Sequence, residues 1–394
     1  MPDTRERDRR ELRVRIAAGV SVVVVKGWPA LEAKEAFARA RSLCGSVGEL
    51  SDVSRSIFGL GAFHVNHGAH RTALALGEEL LALAERSQDS GVRLVAHSLC
   101  GIASFWLAEF ALARGHLDRG IALYDTVEHA PLRFLYGADR GVVCLTYAGW
   151  ALWFLGYPDQ ALKTASEAIE LARVLSHPFS LAYALSLGSW VRQLRREAEA
   201  ARDLADAAIS VSTEHGFPFL LWIATFRRGW ALAMQGDETQ GVAEIRDGLG
   251  SRRGAGGQIE MLRALCMLAD IHVRAGRAED GREVFARAVE MARDTDQRCY
   301  DPELRRLEGE LVLSSALDDG AAAEACFREA VAIARSQSAK SLELRAATSL
   351  ARLLEREGRV QEARSMLRNI YSWFTEGFDT ADLKDAKRLL DELS

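Results

Sequence analysis

A small residue recurs about every forty residues along most of this chain. The recurring positions are Ala73, Ala113, Ala161, Ala200, Gly241, Gly281, Ala323 and Ala363, with successive spacings of 40, 48, 39, 41, 40, 42 and 40. A second small residue precedes each of them by twelve positions, or by fourteen in one case: Gly61, Gly101, Gly149, Gly188, Gly229, Ala269, Gly309 and Ala351. Small residues let two helix axes approach closely, so the fixed offset predicts one helical hairpin in each repeat.

The windows between these markers have the pattern of two helices joined by a short turn. The clearest copy, LTYAGWALWFLGYPDQALKTASEAIELAR, has Gly149 inside the first helix, Gly156 at the turn and Ala161 in the second helix. The small residues match those of the tetratricopeptide pattern, although the usual period there is about 34. The sequence predicts an all-α, tetratricopeptide-like α-solenoid. We expect a right-handed superhelix of about nine hairpins, with first helices inside, second helices outside and a C-terminal capping helix.

We expect a single domain over residues 1–394, because no linker is long enough to divide the array. Residues 1–48 form a divergent N-terminal hairpin in this scheme, residues 49–376 form eight repeats of about 40 residues, and residues 377–394 form the capping helix. The one spacing of 48 contains YDTVEHAPLRFLYGADRG, in which Pro131 and Gly137 indicate an inserted loop.

Charge and cysteine content restrict the partners. Lysine and arginine total 50 against 55 acidic residues, and the resulting net charge of −5 argues against a nucleic-acid surface. The six cysteines lie far apart without a C-x-x-C pair, which favours buried thiols in a reducing compartment. The apolar run VSVVVV is too short for a membrane span and lies too far from the start for a secretory leader. We therefore predict a cytoplasmic protein that contacts neither membrane nor nucleic acid.

Patterns that would carry chemistry are absent or weak. The sequence contains neither G-x-x-x-x-G-K-[ST] nor G-x-S-x-G, and we predict no cofactor and no metal. In LGSRRGAGGQIE the glycines favour an inter-repeat loop over an anion-binding turn. We interpret His64, His67 and His70 as polar turn residues, because Gly68 interrupts the helix and a zinc site needs a further ligand. An α/α-toroid enzyme acting on a small molecule in a central cavity is the alternative to a binding protein.

Six of the eight tryptophans fall between residues 106 and 230. In the tetratricopeptide pattern, positions one and four after the first small residue, and three before it, face the concave side. This register predicts a ligand- or partner-binding groove of Phe58, Phe105, Thr146, Trp150, Trp153, Phe226 and Trp230. Farther along, charged residues face the same side: Asp270, Glu310, Arg352 and Glu355. The competing interpretation is that these aromatic residues fill the hairpin cores, which is the usual role of aromatics at helical spacing.

Almost the whole chain resembles one bacterial family. The segments that carry the resemblance are KGWPALEAKEAFARARSLC, FLYGADRGVVCLTYAGWALWFLGYPDQAL, SHPFSLAYAL, EHGFPFLLWIATFRRGWALAMQG, AKSLELRAATSLARL and YSWFTEGFDTADLKDAK. They are similar to the C-terminal helical-repeat region of predicted-ATPase regulators, many of which carry an N-terminal class III adenylate or guanylate cyclase domain. The resemblance implies a non-catalytic scaffold or sensor of a bacterial signalling system. Its concave groove would bind a protein, a peptide or an apolar small ligand, and an ATPase or nucleotide cyclase module is the implied partner.

Overall fold

The computed structural model describes residues 4–250, 257–314 and 319–394, and every regular element within them is an α-helix. The first ten helices are α1 (Thr4–Lys26), α2 (Leu31–Val47), α3 (Leu50–Asn66), α4 (His70–Ser87), α5 (Ser90–Trp106), α6 (Phe110–Leu123), α7 (Leu132–Tyr136), α8 (Arg140–Phe154), α9 (Pro158–Val174) and α10 (Pro178–Leu194). The next ten are α11 (Ala198–His215), α12 (Pro218–Met234), α13 (Glu238–Gly250), α14 (Gln258–Arg274), α15 (Ala278–Arg293), α16 (Asp301–Leu313), α17 (Gly320–Ser336), α18 (Lys340–Arg356), α19 (Val360–Tyr371) and α20 (Ala381–Glu392).

Nine pairs of consecutive helices pack as hairpins in the described ranges, and the short α7 and the terminal α20 stand outside the pairs. Each hairpin stacks on the next, as in a solenoid. First helices form the inner layer: 14 of the 15 residues of α8 are buried, against 6 of the 17 residues of its partner α9. The prediction of an all-α, tetratricopeptide-like solenoid of about nine hairpins is confirmed.

The small residues of the repeat lie where the two helices of a hairpin cross. A Cβ atom added at Gly149 would lie 3.1 Å from the carbonyl oxygen of Ala161. At Gly229 the added atom would lie 2.7 Å from the carbonyl oxygen of Gly241, and at Gly241 only 2.3 Å from that of Gly229. The twelve-residue offset in the sequence therefore separates two residues whose backbones are in contact where the helices of a hairpin cross.

Replacing Gly229 with alanine should destabilise the protein by about 1–3 kcal/mol, because the methyl group has to displace the backbone of the facing helix. Gly115→Ala is the matched control, since Gly115 lies inside α6 with nothing within 4 Å of the added atom. Alanine there should stabilise by up to about 1 kcal/mol through helix propensity. Urea denaturation of both variants measures the difference, and a Gly229→Ala protein as stable as the native one would contradict the packing argument.

The inner faces of distant hairpins meet across the superhelix axis. The backbone N–H of Arg298 donates to the carbonyl of Trp106 at 2.8 Å, although the two residues belong to hairpins far apart in sequence. The Ser341 hydroxyl donates in the same way to the carbonyl of Trp153, at 2.5 Å. Helix α1 likewise contacts α12, and α3 contacts α14. The axis is consequently filled over part of its length.

The C-terminal helix α20 is fastened to the middle of the chain by ion pairs. Arg196, at the turn between α10 and α11, lies 2.8 Å from a carboxylate oxygen of Asp385. Asp382 accepts from the Nε of Arg345 on α18 at 2.7 Å. The N-terminal end of α20 therefore closes one end of the inner space.

The inserted segment between α6 and α8 contains the short helix α7, so it is not loop alone as the sequence suggested. Its Tyr136 is buried, with its hydroxyl 3.0 Å from the Ser54 hydroxyl and its ring centroid 5.1 Å from that of Phe58. The insertion is thus packed against the second hairpin. Among the described helices, none is both long and apolar enough to cross a membrane.

Candidate ligand-binding cavity

An aromatic cluster with a buried arginine at its centre fills the middle of the axis. Trp106 and Trp190 stack with their ring centroids 6.2 Å apart, and Trp150 meets Trp190 edge to face at 4.5 Å. The guanidinium of Arg263, on α14, lies 3.5 Å from the Trp190 centroid and 5.1 Å from that of Trp150. Cation–π attraction is strong where water is excluded, and Arg263 is fully buried.

A buried carboxylate is shared by two arginines beside this cluster. Arg263 donates from Nη1 to Glu260 at 2.6 Å, and Arg227 donates from Nη2 to the other carboxylate oxygen at 3.5 Å. Burial by itself raises the pKa of Glu260 and lowers the pKa of Arg263, because the interior solvates neither charge, whereas the ion pairs with the guanidiniums oppose these shifts. The Nε of Arg227 and the Nε and Nη2 of Arg263 have no hydrogen-bond partner among the described residues. We call Glu260, Arg227 and Arg263 the buried triad. Each of them needs the opposite charge of its partner to remain ionised in the interior.

A cavity of about 130 Å³ opens on the C-terminal side of the aromatic cluster. One wall is apolar and includes Trp190, Trp230 and Met267, from α10, α12 and α14. Only 5% of Trp230 is exposed, and its indole N–H donates to no described residue. An apolar cavity of about 150 Å³ holds a benzene ring, so this one has room for a side chain of moderate size.

The rest of the lining includes an array of charges from α14, α16 and α18. Asp270 accepts from Arg274 at 2.7 Å and from Arg306 at 3.2 Å. Burial alone would raise the pKa of Asp270, but these two guanidiniums hold it at about 2. Arg306 also donates to Glu303 at 2.6 Å. Asp270 and Arg306 are therefore each held by more than one partner of opposite charge.

Arg352 is the exception in this array. It lines the cavity from α18, its side chain is exposed, and it makes no ion pair with any described residue. Nearby Arg345 is committed to Asp382 and to the carbonyl of Leu194. Arg352 is therefore the cation available to an anionic group of a ligand.

The cavity contains two thiols, and neither has the properties of a nucleophile. Burial raises the pKa of both Cys266 and Cys299, which keeps the sulfur atoms protonated near neutral pH. The groups that face the cavity offer aromatic surface and fixed charge, which is an arrangement suited to binding.

All seven residues that the sequence predicts for the groove are buried, with at most 5% exposure. Trp230 lines the 130 Å³ cavity, and Phe58 lines a smaller cavity. The other five border neither cavity: Phe105, Thr146, Trp150, Trp153 and Phe226. The indole N–H of Trp150 already donates to the carbonyl of Leu187 at 3.1 Å. A ligand-binding role for these residues stays a prediction.

The register argument found part of the cavity. The position directly after the first small residue is Trp230, Asp270 and Arg352 in three of the repeats, and all three line the cavity. It missed Trp190, which stands two positions after Gly188, and Tyr300, which precedes α16.

The other features singled out in the sequence lie apart from this cavity. His67 stacks on Phe63 with centroids 3.9 Å apart, while His70 is buried against Trp106. His64 is half-buried beside them, and no cluster of three or more metal-binding side chains occurs in the parts of the chain described. Most of the glycine-rich LGSRRGAGGQIE segment lies outside the described residues.

Sequence comparisons match parts of the chain. A family model of the tetratricopeptide repeat matches residues 262–295, and one of anaphase-promoting complex subunit 5 matches residues 142–198 and 309–357. An uncharacterized protein of Rhizobium meliloti (strain 1021) is 26% identical over 254 residues, which are 63% of this chain and 25% of that protein. The chain thus spans about a quarter of the length of this curated relative.

Solved structures share the fold over nearly the whole chain. A Rap protein complexed with Competence and Sporulation Factor superposes with a TM-score of 0.63 at 13% identity, covering 98% of this chain and 100% of that one. NprR in complex with its cognate peptide NprX gives a TM-score of 0.55 at 13% identity, covering 90% and 99%. At such identities the likeness concerns the fold, and the chain is a tetratricopeptide-like helical-repeat protein.

Proposed function

We propose that this protein is a binding scaffold or sensor whose 130 Å³ cavity receives an apolar side chain of a short peptide or of a similar amphipathic ligand. One observation carries the proposal. The cavity is lined both by the flat apolar surface of Trp190 and Trp230 and by charged side chains, among which Arg352 alone lacks an ion-pair partner among the described residues. Aromatic anchors with a few convergent polar groups are typical of ligand sites.

The chemistry of the cavity defines the ligand. An apolar side chain fits between Trp230 and Met267, where the indole N–H of Trp230, which donates to no described residue, can donate to a peptide carbonyl. A carboxylate, such as the C-terminus of a peptide, fits Arg352. The NprR structure, which holds a cognate peptide on a similar fold, supports this class of ligand.

We further propose that occupancy of the cavity is relayed to a nucleotide-dependent effector, either an ATPase or a nucleotide cyclase. The proposal rests on the resemblance to the repeat regions of predicted-ATPase regulators, and the much longer curated relative is compatible with it. The five buried residues Phe105, Thr146, Trp150, Trp153 and Phe226 then support the cavity from behind. A ligand that displaces Trp190 would also shift these five residues.

The proposal is tested by measuring, with equilibrium dialysis, the affinity of the protein for a library of five-residue peptides with free C-termini. We expect Arg352→Ala to weaken the peptides that bind by about 10- to 100-fold, the usual value of a hydrogen-bonded charge. Amidation of the peptide C-terminus should have a similar effect. Folding should be unchanged, because Arg352 forms no ion pair with a described residue.

Arg368→Ala is the matched control, since Arg368 is exposed on the outer helix α19 of the same hairpin and does not line the 130 Å³ cavity. It should leave peptide affinity unchanged. Peptides that bind with equal affinity to the Arg352→Ala and native proteins would contradict the site, and cleavage of the peptides would favour the alternative of a toroid enzyme.

A further inference from the structure

Two arginines at the 130 Å³ cavity are occupied by carboxylates of the last helix, α20. Arg196 lies 2.8 Å from Asp385 and 3.5 Å from Asp382. The Nε of Arg345 donates to Asp382 at 2.7 Å, and its guanidinium lies 4.8 Å from the ring centroid of Trp153. Both arginines and both aspartates line the cavity. The ion pairs of α20 are therefore part of the site proposed above.

Half of the acidic residues around the cavity come from α20. Five arginines and four acidic residues of the described chain line it, and two of the acidic residues are Asp382 and Asp385. In the described parts of the chain, no other carboxylate pairs with Arg196 or Arg345. Without α20's two charges these arginines would lack an ion-pair partner, as Arg352 does now.

Apolar packing holds α20 in place independently of these charges. Four of its residues are buried against α18 and α19: Leu383, Ala386, Leu389 and Leu390. The side chains of Asp382 and Asp385, in contrast, are 13% and 25% exposed. Ion pairs that remain in contact with water contribute little to stability. We therefore expect either charge to be removable without releasing the helix.

The spacing of the arginines on α18 relates this ion pair to the ligand. Arg345 and Arg352 stand seven residues, or two helical turns, apart and line the same cavity. A rise of 1.5 Å per residue separates them by about 10 Å along the helix axis. An extended peptide spans about 3.3–3.6 Å per residue. A peptide whose C-terminal carboxylate binds Arg352 can thus reach Arg345 with the residue three positions earlier.

We propose that Asp382 and Asp385 determine the charge selectivity of the cavity. They neutralise Arg196 and Arg345 and leave Arg352 as the cation for the ligand. A peptide with a second carboxylate, three residues before its C-terminus, would meet a charge of the same sign, and like charges repel strongly where water is partly excluded. The cavity accordingly selects peptides whose C-terminal carboxylate is their one acidic group. This inference rests on the proposed function, because it concerns the same cavity.

The peptide library, synthesised in two forms with aspartate or asparagine at the second of its five positions, tests this selectivity. The native protein should bind the asparagine form at least as tightly as the aspartate form. Asp382→Asn removes a charge at nearly constant size and frees Arg345. We expect this variant to bind the aspartate form about 10-fold more tightly than the asparagine form, the value of one hydrogen bond to a charged group. Structural damage would weaken both forms alike and leave their ratio unchanged.

Asp391→Asn is the matched control, since Asp391 lies on the same helix, is 62% exposed and does not line the cavity. Its ratio should equal the native one. Asp385→Asn should shift the ratio in the same direction as Asp382→Asn, and it decides the question if the latter fails to fold.

The outcomes separate this selectivity from the proposed function. If the native protein binds peptides and both variants keep its ratio, or if the native protein already prefers the aspartate form, the selectivity is overturned and the peptide site stands. If only the variants bind, and they bind the aspartate form, the selectivity is supported and the peptide site of the native chain is overturned. Absence of binding to every protein would overturn both.

Discussion

Replacing Glu260 with glutamine should destabilise the protein by about 3–5 kcal/mol, the range observed when one partner of a buried ion pair is removed. Glutamine keeps the volume of the side chain and removes its charge. Arg227 and Arg263, which are 1% and 0% exposed, would then be left as buried cations without a carboxylate. Urea denaturation at pH 7 measures the loss, provided that the slope with urea is unchanged.

Glu279→Gln is the control for this experiment. Glu279 pairs with Arg282, but its side chain is 90% exposed, so the variant should differ from the native protein by less than about 1 kcal/mol. Replacing all three members of the buried triad with methionine should recover much of the lost stability, because well-packed apolar residues often substitute for a buried ion-pair network. A Glu260→Gln protein as stable as the Glu279→Gln protein would show that the triad does not depend on its central charge.

Lowering the pH from 7 to 5 should destabilise the protein by about 4 kcal/mol through two buried histidines alone. Burial, together with Arg298, lowers the pKa of His70 to about 3, and neither of its ring nitrogens has a hydrogen-bond partner in the part of the chain that is described. Burial and the neighbouring His116 lower the pKa of His97 to about 4. Both rings stay neutral in the folded chain, while the unfolded chain takes up protons below pH of about 6.5. Stability is therefore present above that pH and is lost as the pH falls toward 4.

His70→Phe should remove about half of this pH dependence, roughly 2 kcal/mol between pH 7 and 5, because phenylalanine fills the site without a titratable group. His215→Phe is the control, since His215 is exposed and the slope should keep its native value. Denaturation curves at both pH values, at constant ionic strength, give the comparison. An unchanged pH dependence in the His70→Phe protein would mean that His70 gains a proton without unfolding.

The hairpins were predictable from sequence because their determinants are local. Gly149 and Ala161 mark one helix crossing within a single hairpin, and the spacing between them recurs along the chain. The same register places Trp230, Asp270 and Arg352 on the inner side, where all three line the larger cavity. These positions follow from helical geometry and from the small residue that directly precedes each of them in the sequence.

The filling of the axis could not be predicted in this way. Trp150 occupies the same register position as Trp230, yet it is covered by Trp190 and by Arg263, which arrives from a hairpin more than a hundred residues later. Glu260 and Arg263 stand three residues apart, a spacing that on an ordinary helix describes a surface pair. Their burial depends on how tightly the superhelix winds, which the periodicity within one repeat does not determine.

The contacts across the axis change how the energy of the array is distributed. In an extended solenoid each repeat interacts only with its neighbours, so stability adds along one dimension and the ends can fray independently. Here the backbone N–H of Arg298 donates to the carbonyl of Trp106, and the Arg196 guanidinium donates to Asp385. These hydrogen bonds connect early repeats directly to late ones. Loss of the terminal helix would thus be transmitted to the centre of the chain without passing through the repeats between them. The repeats are therefore connected like the elements of a globular domain, although the sequence is a linear series of hairpins.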